Sequence, residues 1–191
     1  MKNPKYVEVN NKKYKINTSY KVALECNKII SDESIGDFER LLAMIYKLFG
    51  EEALNNPDEY EKLLELAEKY LLCNQEREET TEVDMDYEED WAYIKASFRS
   101  DYNINLDEED IEWWDFNALM NGLSNSDMGN CCILNRIRNL RNYDTSQIKD
   151  QKEKTKIEKA KEQVALKKQK VKRELTNEQQ NNINAFYETL K

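Results

Sequence analysis

The segment IEWWDFNALMNGL, residues Ile111–Leu123, decides the fold because it predicts a helix that is apolar on two faces. At about 100° per residue, one face carries the larger set: Trp113, Phe116, Leu119, Met120 and Leu123. The other carries Ile111, Trp114 and Ala118. Adjacent tryptophans on a helix point in different directions, so they do not both lie at the centre of one core. The face of Trp114 therefore needs a second element, either in this chain or in a partner.

Burial within the chain is the interpretation that we favour for Trp114. Covering a large aromatic side chain is favourable by roughly 1.5–3 kcal/mol, and leaving it exposed creates an adhesive patch. The covering element could be the helix predicted at Tyr87–Tyr102. Since tryptophan is common at binding hot spots, contact with a partner protein is the alternative.

The rest of the chain predicts a mainly α fold with a small N-terminal β-hairpin. Only four glycines and two prolines occur in 191 residues, which is too few turn residues for a sandwich or a loop-rich α/β enzyme. The stretch YVEVNNKKYKIN, Tyr6–Asn17, alternates apolar and polar residues around Asn10 and Asn11. Asparagine tolerates the positive φ of a tight hairpin turn, so we expect two short antiparallel strands there. Thr18 or Ser19 is expected to cap the helix that follows.

Apolar residues at helical spacing predict the remaining helices, at Ser34–Phe49, from Pro57 onward, at about Asp86–Asp101 and at Ser126–Arg141. We expect Asp107 to cap the helix that contains the double tryptophan. The candidate site is an aromatic motif, which either fills the core or binds a partner. Its residues are Trp91, Phe98, Tyr102, Trp113, Trp114 and Phe116.

Charge divides the chain. Residues 51–90 hold 16 acids and 3 bases, a net charge of −13, and residues 74–90 lose the apolar pattern, so we expect a solvated acidic linker there. Residues 149–173 hold 11 bases and 4 acids, a net charge of +7, with Ile157, Val164 and Val171 seven residues apart. We expect a compact helical domain at 1–141 and a charged, extended helical or partly disordered extension at 142–191. The extension is predicted to end in a short helix at Glu178–Leu190.

Composition argues against most enzyme classes. The chain has no histidine, which removes the commonest general base and most catalytic zinc sites. Its four cysteines lack metal-binding spacing, so we expect them to be reduced packing residues. A nuclease built on carboxylates is the enzymatic alternative, but its acids lie in an unpatterned stretch: Asp84, Asp86, Glu88, Glu89 and Asp90. We expect no enzyme, no cofactor and no metal.

Nucleic acid and membrane are not expected partners either. Arg136, Arg138 and Arg141 fall in the last turns of a predicted helix, where they suit the negative end of its dipole. An acidic mimic of DNA is the alternative for the overall charge of −9, but the acids are confined to one block. No apolar run reaches 18 residues, and the N-terminus lacks the apolar core of a signal peptide.

The stretch DWAYIKASFRSDYNINLDEEDIEWWDFNALMNGL, followed by IRNLRNYD, resembles the "gene product fifteen" family of siphophages and prophages of Gram-positive bacteria. The resemblance covers residues 90–144 well and the first fifty residues loosely. It implies a non-catalytic tail assembly chaperone that acts in the host cytoplasm and binds the tape-measure protein, a long amphipathic helix. The major tail protein, a companion chaperone and further copies of the chain are additional partners that it suggests. The alternative is a structural tail or connector component that stays in the virion.

Overall fold

The computed structural model describes residues 3–32, 34–76, 83–125 and 131–167. Within those ranges it contains one two-stranded antiparallel sheet and seven α-helices, which confirms the mainly α prediction. The strands are β1, Tyr6–Val9, and β2, Lys12–Lys15. The helices are α1, Tyr20–Ser31; α2, Asp37–Phe49; α3, Tyr60–Leu71; α4, Trp91–Tyr102; α5, Trp113–Asn121; α6, Ile133–Asn142; and α7, Gln151–Val164.

The chain forms two compact units. Of the described residues, those within 1–80 and 103–123 form unit 1, and those within 81–102 and 124–191 form unit 2. Unit 1 therefore holds the hairpin, α1, α2, α3 and α5, whereas unit 2 holds α4, α6 and α7. The predicted division at residue 141 stays a prediction, and the helix expected at Glu178–Leu190 lies outside the described residues.

The hairpin is confirmed where the sequence placed it. Asn10 and Asn11 have φ angles of 49° and 62°, the left-handed conformation that a tight turn between two strands requires. Pairing of Val7 with Tyr14 and of Val9 with Lys12 sets the register. Val9 and Tyr14 are buried, so the hairpin lies on the helices of unit 1 with one face.

The core of unit 1 comes from the apolar stripes of its helices. Ser19 is the N-cap of α1, as predicted, and its side chain accepts a hydrogen bond from the backbone N–H of Lys21. A three-residue turn at Pro57–Glu59 leads into α3, in agreement with the predicted role of Pro57. Fully buried side chains from α1, α2, α3 and α5 fill the interior, among them Tyr20, Ile45, Leu63 and Phe116.

Two predicted helix starts are wrong. The helix expected from about Asp86 is α4, which begins at Trp91. Asp107 does not cap the double-tryptophan helix, because α5 begins at Trp113 with Glu112 as its N-cap. Asp107 suggested a cap because acidic residues favour that position, but the chain does not become helical until Trp113. The start expected for the following helix, at Ser126, lies outside the described residues, and α6 as described begins at Ile133 with Cys132 as its N-cap.

Candidate functional site

The two adjacent tryptophans bind the end of α3. The indole N–H of Trp113 donates to the backbone carbonyl of Leu71 at 2.9 Å, and that of Trp114 donates to the carbonyl of Tyr70 at 3.0 Å. The last four carbonyls of any helix lack partners within the helix. Neighbouring indoles on the first turn of α5 thus satisfy consecutive carbonyls on the last turn of α3. We call this arrangement the tryptophan clamp.

The chain leaves α3 in a conformation that presents these carbonyls. Cys73 and Asn74 have φ angles of 51° and 58°, and their backbone N–H groups donate to Tyr70 and Lys69 at 3.0 and 2.9 Å. This is the hydrogen-bond pattern of a left-handed helix end. From α5, the side-chain amide of Asn117 also donates to the sulfur of Cys73 at 3.0 Å. The amide and the indoles therefore fix the same helix end.

Trp113 belongs to a buried aromatic stack. Its ring centroid lies 5.8 Å from that of Phe116, and Phe116 lies 4.8 Å from Tyr20 with the ring planes 6° apart. The Tyr20 hydroxyl donates to the carbonyl of Leu106 at 2.7 Å, so the one polar atom of its side chain is paired. Burial raises the pKa of Tyr20 to about 12. The stack joins α1 to α5 through side chains.

Trp114 has a mixed environment. It is half-buried, and its ring lies 6.1 Å from that of Tyr70. The second element that the sequence predicted for the Trp114 face is therefore present within unit 1. This element is α3 rather than the Tyr87–Tyr102 helix suggested above. Burial raises the pKa of Tyr70. Any additional contact of Trp114 with a partner protein stays a prediction.

Backbone hydrogen bonds anchor the start of α5. The N–H of Trp113 donates to the carbonyl of Thr18 at 2.7 Å, and the N–H of Tyr20 donates to the carbonyl of Ile111 at 3.0 Å. Ser19 and Glu112 thereby form an isolated antiparallel bridge. The start of α1 and the start of α5 are held together by main chain, which sets the direction in which both indoles point.

The other three residues of the predicted motif lie in unit 2, on α4. Phe98 is fully buried, and its ring meets that of Tyr102 edge-on at 5.7 Å. Trp91 and Tyr102 are half-buried. The six predicted residues therefore form two groups, one in each unit, and the role of either group in partner binding stays a prediction.

Unit 2 contains a buried ion pair that the sequence did not indicate. Arg141 donates from two guanidinium nitrogens to the two carboxylate oxygens of Asp90, both at 2.7 Å, and the Asp90 side chain is fully buried. The same guanidinium donates to the carbonyls of Val164 at 2.6 Å and Asp84 at 2.8 Å. We call this arrangement the arginine clasp, since it fixes the start of α4, the end of α6 and the end of α7.

The sequence pattern predicts other roles for these two residues. Asp90 falls among the acids of the predicted solvated linker, and Arg141 falls where it suits the dipole of its own helix. A usable signal was available: Asp90 directly precedes an apolar helix, where a carboxylate commonly caps the N-terminus. Its carbonyl does accept the N–H of Ile94 at 2.9 Å, as that of an N-cap residue would, but its carboxylate accepts from the N–H of Asp86 at 3.0 Å, which lies before the helix.

The surface of unit 1 has an open groove of about 750 Å³ beside the start of α1. Its apolar lining comes from Ile16, Val22, Tyr46 and Phe49, and charged side chains stand at its edge. Lys47 and Glu25 form an ion pair at 2.5 Å between α2 and α1 along this edge. Tyr46 is 50% exposed, so an aromatic residue in the lining of the groove is accessible to solvent.

Comparison with known proteins identifies the family. The family model of the bacteriophage Gp15 protein matches residues 2–166. The chain belongs to this family. The matched residues include both the tryptophan clamp and the arginine clasp. No curated protein and no solved structure matches the chain.

Membership of the Gp15 family makes this a bacteriophage protein and points to a structural or tail-related role. Among the described residues, no helix is long and apolar enough to cross a membrane.

Proposed function

We propose that the protein is a non-catalytic tail assembly chaperone that binds the tape-measure protein in the cytoplasm of the host. Family membership supports the phage context. The finer role is our inference from the surface of unit 1. A tape-measure protein that is a long amphipathic helix needs its apolar stripe covered until the tail tube assembles around it.

The observation that carries the proposal is the open groove of unit 1. Amphipathic helices are commonly recognised by grooves with apolar walls, in which a few side chains serve as anchors. This groove has such walls, formed by residues such as Val22 and Phe49, and the exposed ring of Tyr46 stands in its lining. The tryptophan clamp is already engaged with α3, which makes Tyr46 a better candidate for the contact than Trp114.

Charge on the groove and on the whole chain suits a reversible contact. Lys15, Lys47, Glu25 and Glu51 all line the groove, so both signs face a bound helix. Contacts between exposed charges are weak and are screened by salt. A chaperone has to release its client when tail-tube subunits arrive, and weak charge-tuned contacts permit that release. The major tail protein and a companion chaperone are the further partners that we propose.

The test is co-expression with the tape-measure protein of the same genome, followed by affinity purification. We expect the wild-type chain to co-purify with the tape-measure protein. With Tyr46→Glu, the amount that co-purifies should fall by at least about tenfold, which is typical when an aromatic side chain at a binding hot spot is lost. Tyr143→Glu is the matched control, because both tyrosines have 50% exposed side chains. It should retain the complex.

Three outcomes count against the proposal. If the tape-measure protein stays insoluble and nothing co-purifies, the protein is no tape-measure chaperone. If the protein is present at stoichiometric levels in finished particles, as mass spectrometry would show, it is a tail or connector component. If Tyr46→Glu and Tyr143→Glu lose the tape-measure protein equally, the groove is not the binding site, because Tyr143 does not line it.

A further inference from the structure

The apolar stripe of α2 continues beyond the part that unit 1 buries. Ile45 and Phe49 each lie within about 20° of Phe38 around the helix axis, since seven and eleven residues are close to whole numbers of turns. Ile45 is fully buried and Phe49 is 6% exposed, but Phe38 is 64% exposed. Phe38, in the first turn of α2, therefore points in the same direction as the core residues of the helix, but the rest of unit 1 does not bury it.

Neighbouring side chains extend this surface. Leu41 and Leu42 are half-buried, and Ile30, at the end of α1, is 37% exposed. The Arg40 guanidinium donates to the carbonyl of Ile30 at 3.3 Å, which holds the end of α1 beside the start of α2. We call Ile30, Phe38, Leu41 and Leu42 the α2 patch.

Acids predominate among the residues that flank Ile30 and Phe38 of the α2 patch along the chain. Residues 28–40 hold four acids and two bases in the sequence. Asp32, Asp37 and Glu39 are all exposed, while Arg40 forms an ion pair with Asp37 at 2.5 Å. An apolar surface flanked by acids is complementary to a segment that has apolar side chains and a basic flank.

The C-terminal segment of the chain has that composition. Residues 168–173 contain four bases and no acid. The following residues place Ile183, Phe186, Tyr187 and Leu190 at helical spacing, so they predict one apolar face. A 13-residue helix at Glu178–Leu190 would be about 20 Å long, comparable with α2. Residues 168–191 lie outside the described residues.

We propose that the α2 patch binds the C-terminal segment, residues 168–191, of a second copy of this chain. The choice of a second copy rests on the proposed function, because a protein that covers a long helix needs a contact that repeats from copy to copy. Since patch and segment are different surfaces, the contact is heterologous, and successive copies extend into a row or close into a ring.

The first experiment is sedimentation velocity over a series of concentrations, with no tape-measure protein present. Wild type is expected to self-associate, and Phe38→Glu is expected to weaken the association by at least about tenfold. Tyr6→Glu is the matched control, because Tyr6 is 59% exposed on the hairpin. Circular dichroism checks that each variant is folded. We expect Phe38→Glu to fold, because Phe38 is exposed and its replacement disturbs little of the core.

The second experiment is complementation between two variants. Phe38→Glu lacks a working patch, and Phe186→Glu lacks a working segment, so each is expected to be monomeric alone. Mixed together, the intact patch of one copy accepts the intact segment of the other, and a one-to-one complex forms. A monomeric wild type at all concentrations overturns the proposal, as does a mixture that stays monomeric. Because the tape-measure protein is absent, these results are independent of the chaperone test.

Discussion

The two units fix their helix ends with different chemistry. In unit 1 the tryptophan clamp uses neutral N–H donors, and the aromatic bodies of the same side chains contribute packing. In unit 2 the arginine clasp uses a guanidinium that pairs with a fully buried carboxylate and two carbonyls. A neutral donor that is lost leaves one weaker contact, whereas a lost charge leaves its buried partner uncompensated. The units should therefore respond to substitution on different scales.

Arg141→Ala is expected to have the largest effect. It leaves the Asp90 carboxylate buried without its partner, which typically costs about 3–5 kcal/mol in the free energy of unfolding. Arg138→Ala is the control, because its pair with Asp84 has side chains 37% and 27% exposed and should contribute under about 1 kcal/mol. Urea unfolding followed by circular dichroism measures both. Equal losses would show that the buried pair has no special role.

A double substitution sharpens the same point. Asp90→Leu together with Arg141→Met replaces the pair by apolar side chains, and such replacements are often neutral or stabilising. We expect the double variant to recover much of the stability that Arg141→Ala loses. The carbonyls of Val164 and Asp84 would still lack their donor, so recovery should be incomplete.

Trp113→Phe should have the next largest effect. Trp113 is 3% exposed, so the smaller ring leaves a void and the carbonyl of Leu71 loses the indole donor. We expect the free energy of unfolding to fall by about 2–3 kcal/mol. Thermal and urea unfolding provide the measurement, and a change within error would mean that the clamp does not hold α3.

Alkaline pH should weaken the aromatic stack of unit 1. The pKa of Tyr20 is raised to about 12, so the folded state binds the phenolic proton more tightly than the unfolded state. The resulting stability is complete below pH 10 and is lost as pH rises towards 12, by about 2 kcal/mol. The unfolding midpoint of wild type should fall through this range, and Tyr20→Phe should show a shallower fall. Parallel curves for the two proteins would contradict the assignment.

Trp114→Phe should have the smallest effect, about 1 kcal/mol. The ring is half-buried, and the carbonyl of Tyr70 also accepts the backbone N–H of Cys73. The carbonyl therefore keeps a donor when the indole is removed. A loss as large as that of Trp113→Phe, in the same unfolding assay, would place Trp114 in the core instead.

Local patterns in the sequence predicted much of the fold. Asn10 and Asn11 indicated the hairpin because the positive φ of the turn is a property of those two residues. Aromatic and apolar residues spaced three and four apart around Phe98 indicated α4, because that spacing places them on one face of a helix. The clamp and the clasp were missed because their partners lie far apart in the chain. Trp113 and Leu71 are 42 residues apart, and Arg141 and Asp90 are 51.

Polar partners at such separations leave no periodic signal. A tryptophan that caps another helix has the same sequence pattern as one that packs in a core or binds a partner. The position of Trp114 around the helix axis indicated that it needed a second element, but only the structure identified Tyr70. The groove could not be predicted from the sequence either, because its lining combines residues from the end of the hairpin, α1 and α2.

The most direct test of the tryptophan clamp is hydrogen exchange at the two indole N–H groups, followed by NMR in ¹⁵N-labelled protein. Single Trp→Phe variants assign the resonances. Both donors are bonded to carbonyls at the end of α3, so the account predicts slow exchange at Trp113 and Trp114. Rapid exchange at Trp114, at the rate of a free surface indole, would contradict the clamp and return that side chain to the candidate partner-binding surface.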